Sequence, residues 1–168
     1  MKKLVGWAAW LLVFFISSSS YAGGRLVFDE VGRGVLIPDN PRRIVSLAPS
    51  ITETLFALGL DGEIVGVTGY CDYPTAALER PKVGGFVSPS IEKILSLGPD
   101  LVMATSDGNR REVVDRLTEL GIAVFVTYPK NLDEIFLTIE TIGWITGRKK
   151  EATRILRDMK RRRGEIIR

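Results

Sequence analysis

The stretch from Arg43 to Gly59, Arg-Ile-Val-Ser-Leu-Ala-Pro-Ser-Ile-Thr-Glu-Thr-Leu-Phe-Ala-Leu-Gly, decides the fold because it joins a buried-type strand directly to a helix. The apolar run at 44–47 is typical of a parallel strand covered on both faces, and residues 51–58 have helical spacing. Ser50 and Glu53 fit a capping box, and Gly59 suits the end of the helix. The sequence therefore predicts a strand, a tight turn and a capped helix.

The turn of this unit, Ala48-Pro49-Ser50, is predicted to face a ligand. In an open parallel sheet, ligands bind beyond the carboxyl ends of the strands. A turn that binds a nucleotide needs glycines so that the backbone can approach the phosphates, and this turn has none. We therefore expect a ligand that is held without a phosphate-binding loop.

The amino terminus has the pattern of a secretory signal peptide. Two lysines precede an apolar stretch at 4–16, which is followed by four serines and the small residues Ser20 and Ala22. At about 13 residues the stretch is too short to span the hydrocarbon core comfortably, and no cysteine follows it directly, which argues against a lipid anchor. The sequence predicts cleavage after residues 1–22 and a periplasmic mature chain that begins near Gly23.

The composition favours a single globular domain without catalytic chemistry. The remaining chain suits one domain of ordinary size and not two. It has one cysteine, Cys71, which we expect to be a small buried apolar residue, and no histidine, the commonest general base and metal ligand. The carboxylates of Asp72, Asp100 and Asp107 are dispersed, so they do not suggest an acid and base pair. We expect no enzyme activity, no metal site and no cofactor of the protein's own.

The positive charge is concentrated at the carboxyl terminus. The net charge is +3, yet residues 148–168 contain ten Lys or Arg against three Asp or Glu. The run at 160–163 could indicate binding to nucleic acid or anionic lipid. Long basic side chains more often solvate a helix face, and a secreted protein meets little nucleic acid. We expect no nucleic-acid partner.

Hydrophobic periodicity predicts an α/β fold with a parallel Rossmann-like sheet and helices on both faces. An amino-terminal β-hairpin is predicted from Leu26–Val31 and Val35–Ile37. The predicted strands lie at 44–47, 64–68, 101–105 and 122–127, and the helices between them at 51–58, 90–97 and 110–120.

Cap residues mark most of the helix ends. Asn109 with Glu112 fits a second capping box, and Pro89 after Ser88 suits a first helical position. Gly121 fits a helix end.

Two helices are predicted beyond the last strand. Asn131 caps one that runs to about Thr146 and ends at Gly147, and a second starts at Lys149 and continues to the last residue. The second has an apolar stripe formed by Ala152, Ile155, Leu156, Met159, Ile166 and Ile167. We expect part of this stripe to be covered by a second lobe.

Seven short motifs, taken in order, resemble the cobalamin and iron-siderophore substrate-binding proteins of ABC importers. They are Val31-Gly32-Arg33, residues 41–50, Tyr70-Cys71-Asp72-Tyr73-Pro74, Ile91-Glu92-Lys93-Ile94, Pro99-Asp100-Leu101-Val102, Gly108-Asn109 and Leu120-Gly121-Ile122. The resemblance covers nearly the whole mature chain. It implies an amino-terminal substrate-binding lobe at 23–147 and, at 148–168, the truncated start of the helix that bridges to a missing second lobe.

The resemblance implies a periplasmic binder that delivers a cobalt or iron chelate, a corrinoid first of all, to an ABC permease, with contact to the membrane only through that permease. The alternatives are a lobe that binds a ferric siderophore or haem, and an orphan lobe that acts only in protein–protein interaction.

The candidate ligand residues lie in the loops after the predicted strands, which are aromatic and small-polar. The resemblance implies that Tyr70 contacts the ligand and that Phe86 matches an aromatic position of the family. The complete set is Pro49, Ser50, Tyr70, Tyr73, Phe86 and Asn109. Glu92 matches the family's permease-docking glutamate, and it would also be favoured by the dipole of a helix amino terminus.

Overall fold

A four-stranded parallel sheet organises the fold in a computed structural model that describes residues 23–166. An antiparallel hairpin precedes the sheet, with β1 at Gly24–Phe28 and β2 at Gly34–Pro38. The sheet strands are β3 Ile44–Ser46, β4 Ile64–Val67, β5 Leu101–Thr105 and β6 Val124–Thr127, in the order β4-β3-β5-β6. The predicted signal peptide at 1–22 and the stripe residue Ile167 lie outside the described residues. None of the helices within 23–166 is long and apolar enough to cross a membrane.

Alternating strand side chains divide the core into two layers, because successive residues of a strand point to opposite faces. Ile44 and Met103 lie on one face, under α1 (Pro49–Ala57), α4 (Leu132–Ile145) and α5 (Lys149–Ile166). Val45 and Val102 lie on the other face, under α2 (Ile91–Ser96) and α3 (Arg111–Glu119). The predicted fold class, a parallel sheet with helices on both faces, is confirmed.

Both outer strands of the sheet have their edges covered by other segments. Beside β6, the turn of the hairpin donates from the Glu30 backbone N–H to the carbonyl of Val126 at 3.1 Å. Beside β4, the backbone of Val67 accepts from Val83 and donates to Pro81, at 2.9 and 3.0 Å. The sheet therefore presents little unpaired backbone at its sides.

Three predicted helix ends and one predicted cap are confirmed. Gly59, Gly121 and Gly147 have φ of +72°, +81° and +75°, in the left-handed region that glycine adopts without strain. Asn131 is the N-cap of α4, and its side chain accepts from the backbone N–H of Glu134 at 3.0 Å.

The predicted capping box at Ser50 and Glu53 is wrong. Helix α1 begins at Pro49, and Ala48, with extended dihedrals, is its N-cap. Proline is favoured at the first helical position because its φ is already helical and it has no N–H to satisfy. Ser50 is therefore one residue inside the helix.

Two other helix starts are wrong in the opposite direction, since both were predicted too early. Helix α3 begins at Arg111 rather than after a cap by Asn109, whose side chain is engaged elsewhere. Helix α2 begins at Ile91 rather than Pro89, because Ser90 caps it by accepting from the backbone N–H of Lys93 at 3.2 Å.

The last helix packs closely along α4. Ala152 and Leu156 are buried, and a Cβ built at Gly143 of α4 would lie only 2.5 Å from that of Ala152. Toward the end of α5, Ile166 is 85% exposed. The described chain thus covers the first half of the predicted stripe. The division into a lobe at 23–147 and a bridging helix at 148–168 stays a prediction.

The basic run on α5 forms ion pairs along the helix surface. Arg161 pairs with Asp158 at 2.6 Å and with Glu165 at 2.7 Å. The hydrogen bond from Arg161 lowers the pKa of Asp158, and that bond in turn raises the pKa of Arg161. This arrangement fits the interpretation of the run as a solvated helix face.

Candidate ligand site at the carboxyl edge of the sheet

Three loops at the carboxyl edge of the sheet enclose one concavity of about 580 Å³. They are the β3–α1 turn, the loop after β4 (69–74, the tyrosine loop) and the loop before α2 (84–89, the phenylalanine loop). The lining consists of Pro49, Ser50, Tyr70, Gly85, Phe86, Val87 and Ser88. We name this surface the aromatic concavity. It brings together four of the six predicted ligand residues.

Tyr70 stands at the wall of the concavity with 66% of its surface exposed. The next residue, Cys71, is buried as expected, with its Sγ 3.1 Å from the Thr52 hydroxyl and 3.2 Å from the Thr68 hydroxyl. The Lys82 ammonium donates to the carbonyls of Cys71 and Ala77, both at 2.9 Å. The tyrosine loop is thus anchored from below, which leaves the ring of Tyr70 free to contact a ligand.

Phe86 forms the opposite wall and is half-buried against the core. Its loop is closed at the base, where the Ser90 backbone N–H donates to the Val83 carbonyl at 2.7 Å. Gly84 enters the turn with φ of +117° and accepts from the Gly69 backbone N–H at 2.8 Å. The two aromatic loops are therefore hydrogen-bonded to each other, and Tyr70 and Phe86 face one shared space.

Asn109 lies beneath the concavity rather than in its lining. Its side chain is 7% exposed, its Oδ1 accepts from the Thr105 backbone N–H at 2.8 Å, and its Nδ2 donates to the carbonyls of Leu47 and Phe86 at 3.1 and 2.7 Å. Leu47 directly follows β3 and Thr105 ends β5, and these are the strands between which the connections reverse direction. The amide therefore spans the place where such sheets usually receive a ligand.

Tyr73 is exposed but lies outside the lining of the concavity, so its role in binding stays a prediction. Three lining residues, Gly85, Val87 and Ser88, were missed as ligand residues. The signal that could have found them is an apolar residue in a loop bounded by Gly85 and Pro89, where burial in a core is unexpected.

Glu92 is exposed in the first turn of α2, at the same edge of the sheet. A backbone hydrogen bond and a second bond from the Ser90 hydroxyl, at 2.9 Å, lower the pKa of Glu92. The carboxylate is therefore charged and accessible beside the phenylalanine loop.

The lining of the concavity is uncharged and largely apolar. Among the described residues that line it, none has a charged side chain. Within residues 23–166, no three side chains of the His, Cys, Asp or Glu type come together as metal ligands would. The surface offers two aromatic rings, one proline, one valine, three hydroxyls and backbone groups, so it can hold a large flat apolar face and orient polar groups at its margin.

Comparison with known proteins shows which family the chain matches. Residues 44–166 match the family described as "Periplasmic binding protein". The vitamin B12-binding protein of Vibrio cholerae serotype O1 is 37% identical over 125 residues, which are 74% of this chain and 45% of the relative. That of Yersinia pestis is 34% identical over 110 residues, 66% of this chain and 39% of the relative.

Solved structures share the fold over a similar part of the chain. The periplasmic vitamin B12 binding protein BtuF of Vibrio cholerae has a TM-score of 0.71 and 36% identity, over 76% of this chain and 50% of its own. A periplasmic heme binding protein from Pseudomonas aeruginosa has a TM-score of 0.69 and 27% identity, over 73% and 44%. The chain thus spans about half the length of the proteins it matches, which are binding proteins and not enzymes. From the family match and the shared fold, the chain belongs to the periplasmic binding protein family.

Proposed function

We propose that this chain binds a corrinoid in the aromatic concavity and presents it to an ABC permease from the periplasmic side of the membrane. The observation that carries the proposal is the shared, uncharged concavity between Tyr70 and Phe86. Relatives that are named vitamin B12-binding proteins support the choice of ligand. In this proposal residues 1–22 direct export and are then removed.

The uncharged lining favours a corrinoid over the other metal chelates. A corrin ring is large, apolar on its faces and fringed with neutral amides, which the hydroxyls of Ser50 and Ser88 and the loop backbone can orient. Haem propionates and the carboxylates or catecholates of ferric siderophores are anionic. Covering such groups against a surface without a cationic partner costs free energy.

Haem is the second candidate ligand. The likeness to a heme binding protein supports it, and the phenol of Tyr70 is an exposed oxygen that could coordinate the iron. The two ligands make different demands on Tyr70, because a corrinoid needs only its ring whereas haem ligation needs its hydroxyl.

Calorimetric titration of the purified chain with cyanocobalamin and with haemin tests the proposal. We expect cyanocobalamin to bind, Tyr70→Phe to change the dissociation constant less than about threefold, and Tyr70→Ala or Phe86→Ala to raise it about tenfold or more, which corresponds to about 1.4 kcal/mol. Phe28→Ala is the matched control, since Phe28 is an aromatic residue that is 70% exposed on the hairpin.

Three outcomes would contradict the corrinoid proposal. They are an absence of cyanocobalamin binding, an equal loss in Phe28→Ala and Phe86→Ala, and haemin binding that Tyr70→Phe abolishes while cyanocobalamin does not bind. The last outcome would assign the site to haem. If neither cyanocobalamin nor haemin binds, the result favours the remaining alternatives, a ferric siderophore or a role in protein–protein interaction only.

We further propose that Glu92 contacts the permease, because its carboxylate is charged, exposed and beside the concavity. Glu92→Lys should leave the cyanocobalamin dissociation constant unchanged and weaken binding to proteoliposomes that contain a vitamin B12 importer. Lys93→Glu is the control, since it changes the charge of the neighbouring residue. Equal binding by Glu92→Lys and wild type would refute this role.

A further inference from the structure

We propose that Gly108 and Asn109 form a seat that positions Phe86, and that the shape of this seat sets the ligand affinity of the concavity. The inference rests on the proposed function. It assigns a role in binding to two residues that do not line the aromatic concavity.

The ring of Phe86 occupies the space that a side chain at position 108 would need. A Cβ built at Gly108 would lie 1.9 Å from both Cε1 and Cζ of the ring and 2.8 Å from Cε2. Real Cβ atoms do not approach other atoms so closely, so any residue other than glycine must displace the ring. The glycine is not needed for its backbone, because its φ lies outside the left-handed region.

The main chain of Phe86 is held by Asn109. The Nδ2 group donates to the Phe86 carbonyl at 2.7 Å, and the rest of the amide is fixed by Leu47 and Thr105 at the ends of β3 and β5. An asparagine held by two strands has little freedom, since all its hydrogen-bonding partners are backbone groups of the core or the loop. The ring and the main chain of Phe86 are therefore located by two consecutive residues.

The same seat determines where the ligand lies. Because the amide of Asn109 hydrogen-bonds to backbone groups at the ends of both β3 and β5, the ligand in this proposal does not enter between these strands. It must lie above them, against the face of Phe86 that is turned away from Gly108. A preorganised aromatic surface binds more tightly than a mobile one, because its ordering does not oppose association.

The substitution Gly108→Ala tests the seat with the smallest possible change. We expect it to raise the cyanocobalamin dissociation constant about tenfold, and we expect Gly108→Ala combined with Phe86→Ala to bind no more weakly than Phe86→Ala alone. Gly62→Ala is the control, because Gly62 has open space around its Cβ position and lies in the turn before β4, away from the concavity. Thermal unfolding of each variant separates loss of binding from loss of fold.

Proton NMR provides a measurement that needs no ligand. The α-protons of Gly108 should be shifted by the ring current of Phe86, and the shift should vanish in Phe86→Leu. Wild-type binding of cyanocobalamin together with unchanged affinity in Gly108→Ala would overturn the seat and leave the proposed function standing. Absence of wild-type binding would overturn the proposed function, and the α-proton shifts alone would then decide whether the seat exists.

Discussion

Replacement of Asn109 by aspartate perturbs the amide that joins the ends of β3 and β5. The substitution keeps the size of the side chain and its acceptor for the Thr105 N–H, but it removes the two hydrogen bonds donated to the carbonyls of Leu47 and Phe86. Each buried hydrogen bond contributes about 1–1.5 kcal/mol, and the introduced carboxylate would face two carbonyl oxygens. We expect the free energy of unfolding to fall by about 3 kcal/mol.

Urea unfolding followed by circular dichroism at pH 7 measures this effect. Asn131→Asp is the matched control, because Asn131 is an exposed N-cap and aspartate caps a helix as well as asparagine does. It should change stability by less than about 1 kcal/mol. At acidic pH the loss in free energy of unfolding caused by Asn109→Asp should become smaller, because the protonated carboxyl can again donate one hydrogen bond. Equal stability of the two variants would refute the reasoning.

Three other predictions concern the anchor of the tyrosine loop, the pKa of Glu92 and the packing of α5 on α4. Lys82→Met should loosen the tyrosine loop and weaken cyanocobalamin binding several-fold with the fold retained, which calorimetry and circular dichroism would show. Ser90→Ala should raise the pKa of Glu92 toward its ordinary value, which a carboxyl-carbon NMR titration would measure. Because the pKa of Glu92 is lowered in the folded chain, the charged carboxylate stabilises the fold at neutral pH, and this stabilisation is lost as the pH falls through the folded-state pKa. Gly143→Leu on α4 should destabilise the chain by about 1–3 kcal/mol in urea by separating α5 from α4. Gly164→Ala, which lies in open space on α5, should not, and equal effects would refute the close packing.

The sheet and its helices were predictable because their signals are local and periodic. The alternation of apolar strands with amphipathic helices depends on residues within one short window, as in the run at 44–47. Glycines in the left-handed region marked three helix ends for the same reason. The two aromatic walls of the concavity could also be predicted from the sequence, because the loops at the carboxyl ends of parallel strands meet at one edge of the sheet.

The role of Asn109 was not predictable from its neighbours. An asparagine followed three residues later by Glu112 favours a capping box, but the amide instead reaches the carbonyl of Leu47, which is 62 residues away. Partners so distant along the chain come together only when the strands have paired. At Ser50 the error was local, because proline at the first helical position outweighed the preference of serine for the cap.

The covered sides of the sheet affect how readily this chain associates with other molecules. Exposed parallel strands recruit strands from other molecules, and here the hairpin turn on one flank and the 81–83 segment on the other occupy those positions. A shortened version that started after Pro38 would lack the hairpin, so the outer edge of β6 would be exposed to strands of other molecules. Such a truncation should make the protein self-associate into larger assemblies, even though every residue around Tyr70 and Phe86 would still be present.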